Sequence, residues 1–243
     1  MDSVGSLGAP LDWSPVEAPA RIVLTGARVR LEPLDPERHG REMFAAQGSD
    51  ADPDLWTWMS SGPYDDEHTF RRYLETAATG DDPMFFAILD EASEDASGVA
   101  AFLRIDPANG VVEIGHIWFG SRLQRTPAAT ESLFLLARHA FDGLGYRRLE
   151  WKCNALNSRS RRAAVRFGFS YEGTFRQHMV VKGRNRDTAW YAIVDDEWPP
   201  VRAAFEAWLA PANFDSEGVQ RRSLGALRAD LQLRVPGKNG ERR

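Results

Sequence analysis

VVEIGHIWF, GSRLQRTPAAT, ESLFLLARHAFDGLGY, RRLEWKCNAL and NSRSRRAAVRFGF follow one another from Val111 to Phe169. Their order reads strand, tight loop, long helix, strand, helix. Alternate positions Val112, Ile114, His116 and Trp118 fall on one face, with Ile117 and Phe119 on the other, as in a largely buried strand. Leu133, Leu136, Ala137, Ala140, Phe141 and Leu144 recur at steps of three and four, the stripe of a helix packed on a sheet. Pro127 suits the first helical residue, because its fixed φ fits there and its missing N–H would have had no intrahelical partner. Gly143 and Gly145 end that helix. A second helix opens at Asn157 or Ser158, either a good N-cap, and stops at Gly168.

The string Gln124-Arg125-Thr126-Pro127-Ala128-Ala129-Thr130-Glu131 after a strand, with Asn157, Ser160 and Gly168-Phe169 downstream, resembles the acetyl-CoA-binding core of the GNAT superfamily of N-acetyltransferases, in its RimJ/RimL type. The resemblance runs from about Val29 to Trp198. It implies an α/β fold with a mixed, mostly antiparallel sheet, whose central parallel strand pair splays apart between flanking helices. It also implies acetyl-CoA as acyl-donor co-substrate, with no metal. In that family a Gln/Arg-x-x-Gly-x-Gly/Ala loop presents backbone N–H groups to the coenzyme pyrophosphate at a helix N-terminus, an anion site that unpaired donors and the helix dipole make. The corresponding residues here are Gln124, Arg125, Thr126, Ala128, Ala129 and Thr130. Pro127 stands where the first glycine is expected; it removes one donor and leaves the N–H groups of Arg125, Thr126, Ala128 and Ala129.

The resemblance further implies roles for single residues, each with a plainer alternative. Attack on a thioester needs a neutral amine, whereas an α-amine (pKa about 8) or a lysine (about 10.4) is mostly protonated at neutral pH. Glu113 is the expected base; alternatively it pairs with an arginine such as Arg104 or Arg176. A backbone N–H near Trp118 or Phe119 would meet the oxyanion. Asn157 would bond the pantetheine arm or act purely as an N-cap, and Ser160 would approach the leaving sulfur or bond the backbone. Arg159, Arg161 and Arg162 form a solvated face or offer one member, Arg161, to the 3′-phosphate. Trp56, Trp58 and Tyr64 either wall an acceptor site or cover one end of the core. His178 and Asp187, on paired strands, contact an acceptor or each other. His116 reads as a core histidine, His139 as a helix-surface one, and Cys153 as a buried thiol.

Bulk properties agree with one soluble domain. The chain has 243 residues, 43% hydrophobic and 27% charged, with a formal net charge of -5 that argues against nucleic acid as the main partner. A single cysteine excludes an intramolecular disulfide, and no run approaches a membrane span or a secretory leader. The reading is cytoplasmic. Residues 1–21, rich in Pro, Gly, Ser and Ala, form an extended or disordered arm in which Trp13 is available to dock on the domain or on a second subunit. The acetyltransferase domain spans 22–210. Residues 211–243 form a helical tail with Val219, Leu224, Leu227 and Leu231 on one stripe and a loose end from Gly237.

Other signals fill in the domain. Asp35-Pro36-Glu37 starts the first helix, and Glu67 to Thr79 forms another. Three strands between Met84 and Phe119 make an antiparallel meander. Ser170 to Lys182 and Arg186 to Val194 form a hairpin about a Gly183-Arg184-Asn185 turn. The acidic loop residues Asp50, Asp52, Asp54, Asp65 and Asp66 point to a cationic acceptor, a protein N-terminus or a small-molecule amine. Two readings stand beside acetyl transfer. One is a non-catalytic acyl-CoA-binding or sensing module with a degenerate site; the other is a structural homodimer built through arm and tail.

Overall fold

The computed structural model describes Gly8, residues 10–48 and residues 54–234. Asp50, Asp52 and the end from Gly237 lie outside the described residues. Within them one sheet contains eight strands: β1 (Leu24–Thr25), β2 (Val29–Pro33), β3 (Met84–Asp90), β4 (Ala96–Asp106), β5 (Val111–Phe119), β6 (Arg148–Asn154), β7 (Ser170–Val181) and β8 (Arg184–Val194). Their spatial order is β1-β2-β3-β4-β5-β6-β8-β7. All neighbours run antiparallel except β5 and β6, which are parallel. Short turns reverse the chain between β1 and β2, β3 and β4, β4 and β5, and β7 and β8, whereas α3 (Pro127–Arg138) carries it back from the end of β5 to the start of β6 and makes that pair parallel.

Strand alternation feeds two cores. Phe85, Ala87 and Leu89 point to α1 (Pro36–Ala46) and α2 (Glu67–Thr79), where Met43, Phe70 and Leu74 cover them. Met84, Phe86 and Ile88 point to the opposite face, which carries α3, α4 (Ser158–Arg166), α5 (Trp198–Leu209) and α6 (Leu224–Arg234). The first four helices begin where side chains meet their free N–H groups: Asp35, Asp66, Thr126 and Asn157 are N-caps.

One strand departs from the alternation read in the sequence. Val112 and Ile114 lie in the α3-side core, but Trp118 lies in the α1–α2 core. Register supplies the reason. Ala101 is opposite Gly115 and Val99 is opposite Trp118, so His116 and Ile117 together oppose Ala100. This β-bulge, with His116 at φ 50°, moves every later side chain to the other face. A second bulge sits on β4, where Leu103 opposes Glu113 and Asp106 opposes Val111. Arg104 there has φ 49°, and the Asp82 carboxylate accepts the freed N–H groups of Arg104 (2.8 Å) and Ile105 (3.1 Å). Glu113 stands between the two bulges.

Smaller corrections follow the same logic. The long helix continues through one π-helical turn, His139–Gly143. That turn leaves His139 half-buried, its Nε2 sealed without a partner, rather than on the surface. The β7–β8 turn is Lys182–Gly183, with φ 50° and 70°, a two-residue turn that needs positive φ at both positions. Val219 lies outside α6 and is exposed. Trp13 docks on its own chain: its Nε1 donates to the Ala108 carbonyl at 2.9 Å. The tail reaches the same body, with Leu224 in the α3-side core and Arg228 donating to the Val165 carbonyl at 2.6 Å.

The start of α3 is fixed from below by Glu131. Its buried carboxylate accepts the N–H groups of Ala27 (3.0 Å) and Arg28 (2.7 Å) in the β1–β2 turn. A Cβ at Gly26 would lie 2.7 Å from the Glu131 side chain, so the turn needs glycine there. Replacing Glu131 with Ala strands two donors, and urea unfolding should show a loss of about 1–3 kcal/mol; an unchanged midpoint would mean that the turn is held by other contacts.

Candidate active site

β5 and β6 pair over three residues only, Val111–Glu113 with Arg148–Glu150. Past that point the His116 bulge turns β5 aside, while β6 stays with β8 until Asn154 opposes Thr188. The facing edges of the two parallel strands therefore diverge into a wedge with Glu113 at its apex. The Gly120 N–H donates to Ser97 on the β4 side (2.7 Å), so by alternation the Phe119 backbone points into the wedge and that of Trp118 does not. The Phe119 carbonyl, on that edge, accepts from Gln124 Nε2 at 2.9 Å. The Trp118 ring is instead packed against Trp56 in the α1–α2 core, 5.8 Å between centroids.

At the mouth of the wedge lies the N-terminus of α3. Two of its expected donors are already engaged: Thr126 N–H with the Leu123 carbonyl (3.3 Å) and Ala129 N–H with Thr126 Oγ1 (3.1 Å). The N–H groups of Arg125 and Ala128 have no partner among the described residues. Arg125 adopts φ 62°, which turns the loop into the helix, and Pro127 follows at N1. The Thr130 hydroxyl accepts from Arg166 at 3.2 Å, so it ties α3 to α4. A shallow concavity of about 400 Å³ beside Thr126 and Ala128 lies on the β2–β3 side of this helix start, away from the wedge.

On the other side, Asn157 caps α4 through Oδ1, which accepts from Ser160 N at 3.0 Å. Ser160 Oγ accepts from Trp151 Nε1 at 3.0 Å, leaving the hydroxyl proton free of that bond. Arg161 is held by the Tyr191 hydroxyl (3.2 Å) and the Ala155 carbonyl (3.3 Å).

The apex is a chain of charges. Glu113 Oε2 accepts from Arg104 Nη1 at 2.6 Å and from Lys152 Nζ at 3.1 Å. Lys152 also meets Glu150 at 2.7 Å, Glu150 meets Arg148 at 2.7 Å, and Arg148 meets Glu172. Lys152 is 4% exposed and lies 3.7 Å from the centre of the Trp190 ring. Burial pushes the Glu113 carboxyl above its ordinary range, against the opposing pull of Lys152 and Arg104. Its Oε1 has no partner among the described residues. His116, beside it, is held below the usual histidine range by burial and then by Arg104 and Arg186. It is therefore neutral at physiological pH. Of the two partners considered for Glu113, Arg104 is the one that reaches it.

The aromatic segment and the hairpin close the α1–α2 side. Trp56 is buried, with its Nε1 bonded to Gln47 Oε1 (2.9 Å) and its ring edge-on to Tyr64 at 5.1 Å. Trp58 is half-exposed. Lys182 in the hairpin turn donates to the Trp56 carbonyl at 2.8 Å, so hairpin and segment meet. Asp187 accepts from Gln177 N (2.8 Å) and Asn185 (2.9 Å), whereas His178 bonds Thr188 Oγ1 (2.9 Å). The two residues do not bond each other. Lys152 and Arg186 went unread in the sequence, and His116 was read only as a core histidine. Glu150 and Lys152, two apart on a strand beside Glu113, carried a legible signal; the bulge that aims His116 carried none. Among the described residues no group of three or more His, Cys, Asp or Glu could hold a metal ion, and no helix is long and apolar enough to cross a membrane.

A wedge between parallel strands, with the open backbone donors of a helix N-terminus at its mouth, is a cleft suited to an anionic ligand. The acetyltransferase (GNAT) domain family model matches residues 28–170, and the chain belongs to that family. A GCN5-related N-acetyltransferase from Brucella melitensis is similar in structure, with a TM-score of 0.88 at 51% identity over 90% of this chain and 99% of that one. The ribosomal-protein-serine acetyltransferase of Escherichia coli (strain K12) is 32% identical over 99 residues, 41% of this chain and 55% of that protein. The chain thus spans about half the length of that curated relative. An acetyl transferase from Salmonella typhimurium that modifies the N-terminal serine of 50S ribosomal subunit protein L7/L12 shares the fold, with a TM-score of 0.59 at 21% identity over 71% of this chain and 99% of that one.

The apex network predicts a pH-dependent defect. Lys152→Met leaves the Glu113 and Glu150 carboxylates short of a buried partner, and near pH 7.5 should cost about 3 kcal/mol in urea unfolding. Glu113, whose carboxyl is already pushed up by burial, then loses the opposing pull of Lys152 and rises further, and such a group favours folding at low pH and opposes it as pH rises. The deficit should shrink at pH 5; the same deficit at both pH values would contradict the assignment.

Proposed function

We propose that this chain is an N-acetyltransferase that uses acetyl-CoA and accepts a primary amine, the α-amine of a polypeptide N-terminus, in the cytoplasm. The observation that carries the reading is the wedge beyond Glu113 and Glu150, opened by the His116 bulge and facing the unpaired N–H groups of Arg125 and Ala128. The serine acetyltransferase among its relatives supports the choice of acceptor. Acetyl-CoA supplies an activated acyl carbonyl with a thiol leaving group.

The chain's residues then divide the work. The Arg125 and Ala128 donors and the α3 dipole hold pyrophosphate charge. The Asn157 amide nitrogen, not used in its cap, is available to the pantetheine arm, and the third nitrogen of Arg161 to the 3′-phosphate. The Phe119 N–H faces the developing oxyanion. Glu113 takes a proton from the acceptor ammonium through Oε1, directly or by one water, while Arg104 and Lys152 fix Oε2. Its elevated pKa brings it closer to working pH than an ordinary carboxylate. The Ser160 hydroxyl gives its proton to the leaving sulfur. Trp58, Tyr64 and His178 border the acceptor entrance. No covalent enzyme intermediate is needed.

The test joins isothermal titration with steady-state kinetics on a serine-initiated peptide. Acetyl-CoA should bind the wild type and Glu113→Gln alike, while kcat falls about 100-fold in the variant. The acid limb of the wild-type kcat profile should lie above the ordinary carboxylate range, because Glu113 must lose its proton first. Full activity in Glu113→Gln would remove Glu113 as the base. Acetyl-CoA binding without transfer to any amine would favour the non-catalytic binding module.

A further inference from the structure

The β8 strand runs past the end of β6. Asn154, the last residue of β6, opposes Thr188, and Arg186 lies two residues beyond it at the open mouth of the wedge. Arg186 shares a face with Thr188 and Trp190, and so with Lys152, which opposes Trp190. This is the α1–α2 face, across the sheet from α3 and α4. The guanidinium is half-buried, and its bond to protein is Nε to Thr188 Oγ1 at 3.2 Å. No carboxylate forms an ion pair with it among the described residues, although Glu113 lies within electrostatic range, as do Arg104 and His116.

Charge balance makes Arg186 the exception in the site. Arg104, Lys152 and Arg148 are matched by Glu113, Glu150 and Glu172 in the ion-paired chain. Arg186 adds a positive charge that no carboxylate neutralises by contact among the described residues. Among the described residues its Nη1 and Nη2 have no hydrogen-bond partner, and they are not sealed from solvent. A planar pair of open N–H donors in a partly desolvated place matches a carboxylate with two bonds. The floor next to it is apolar: Met179 opposes Arg186 across the hairpin, and Phe175 packs against Trp190 with ring centres 4.6 Å apart and the planes tilted by 38°. Phe175 and Met179 are both exposed.

Resting on the acetyl-transfer reading for the location of the acceptor, we infer that the acceptor carries a carboxylate close to its amine, and that this carboxylate docks on Arg186 with the flanking chain over Met179, Phe175 and Trp190. The acceptor class is a polypeptide N-terminus with an acidic residue in its first few positions. This reverses the cationic acceptor expected from the acidic loops. Of those residues, Asp66 caps α2 through Thr69 N at 2.8 Å, and so has a structural task.

The test uses the full chain and two C-terminally amidated peptides, Ser-Glu-Glu-Ala-Ala and Ser-Gln-Gln-Ala-Ala. Dissociation constants are measured by titration with and without coenzyme A, and acetyl transfer is measured separately. The wild type should bind the acidic peptide at least about tenfold more tightly. Arg186→Gln should bring the ratio of the two constants close to one, and Arg186→Lys should restore part of it. Equal binding of both peptides by the wild type, binding of neither, or an unchanged ratio in Arg186→Gln, overturns the inference. A preference that depends on Arg186, with no acetyl transfer to either peptide, supports the inference on binding and counts against the acetyl-transfer reading, so the two fail separately.

Discussion

A single extra residue in β5 sets the geometry on which the rest depends. With His116 and Ile117 opposing one residue of β4, the strand bends away from its parallel partner after three paired positions. An unbroken ladder would leave no space between β5 and β6 and no backbone donor facing into it. The bulge also carries Trp118 into the α1–α2 core, where it packs against Trp56 and Phe70. The bulge that opens the wedge therefore also sets the packing of one of its walls. Holding His116 and Arg104 at positive φ costs about 1–3 kcal/mol each, and the packing of two cores on one sheet offsets it.

Charge is arranged around the same point. Glu113 at the apex is held by one cation from β4 and one from β6, and the chain of alternating charges continues to β7 through Arg148 and Glu172. Such a chain fixes a carboxylate at one oxygen while leaving the other open. Carboxylates also secure the bulges: Asp82 accepts two N–H groups at Arg104, and Asp187 accepts one at Gln177, itself at φ 51°. Asp187, expected to contact an acceptor or His178, thus maintains irregular backbone instead, as Asp82 does. Arg186 stands outside this balance.

Much of the architecture was legible from residues 111–169, because helical and strand periods differ and Pro127, Asn157 and Gly145 mark helix ends. The mixed, mostly antiparallel sheet with its splayed parallel pair followed from connectivity and from the family resemblance, whereas the two-residue β1, too short for any period, was not read. The faces of β5 beyond Gly115 were not legible, since a period of two cannot register an inserted residue. For the same reason His116 read as core. The engagement of Thr126 and Ala129 was hidden as well, because whether an N–H is open depends on a loop turn at Arg125 that no residue type announces. Lys152 was readable from Glu150-Trp151-Lys152. Arg186 was not, because its lack of an ion-pair partner among the described residues is a property of the folded neighbourhood.

The central claim is that the wedge and the α3 start form one coenzyme site. Hydrogen exchange of individual backbone amides, with and without acetyl-CoA, tests it most directly. The account predicts that acetyl-CoA slows exchange at Phe119, Arg125 and Ala128, with little change at Thr126 and Ala129, which are already bonded. Protection elsewhere with none at these three amides would contradict it.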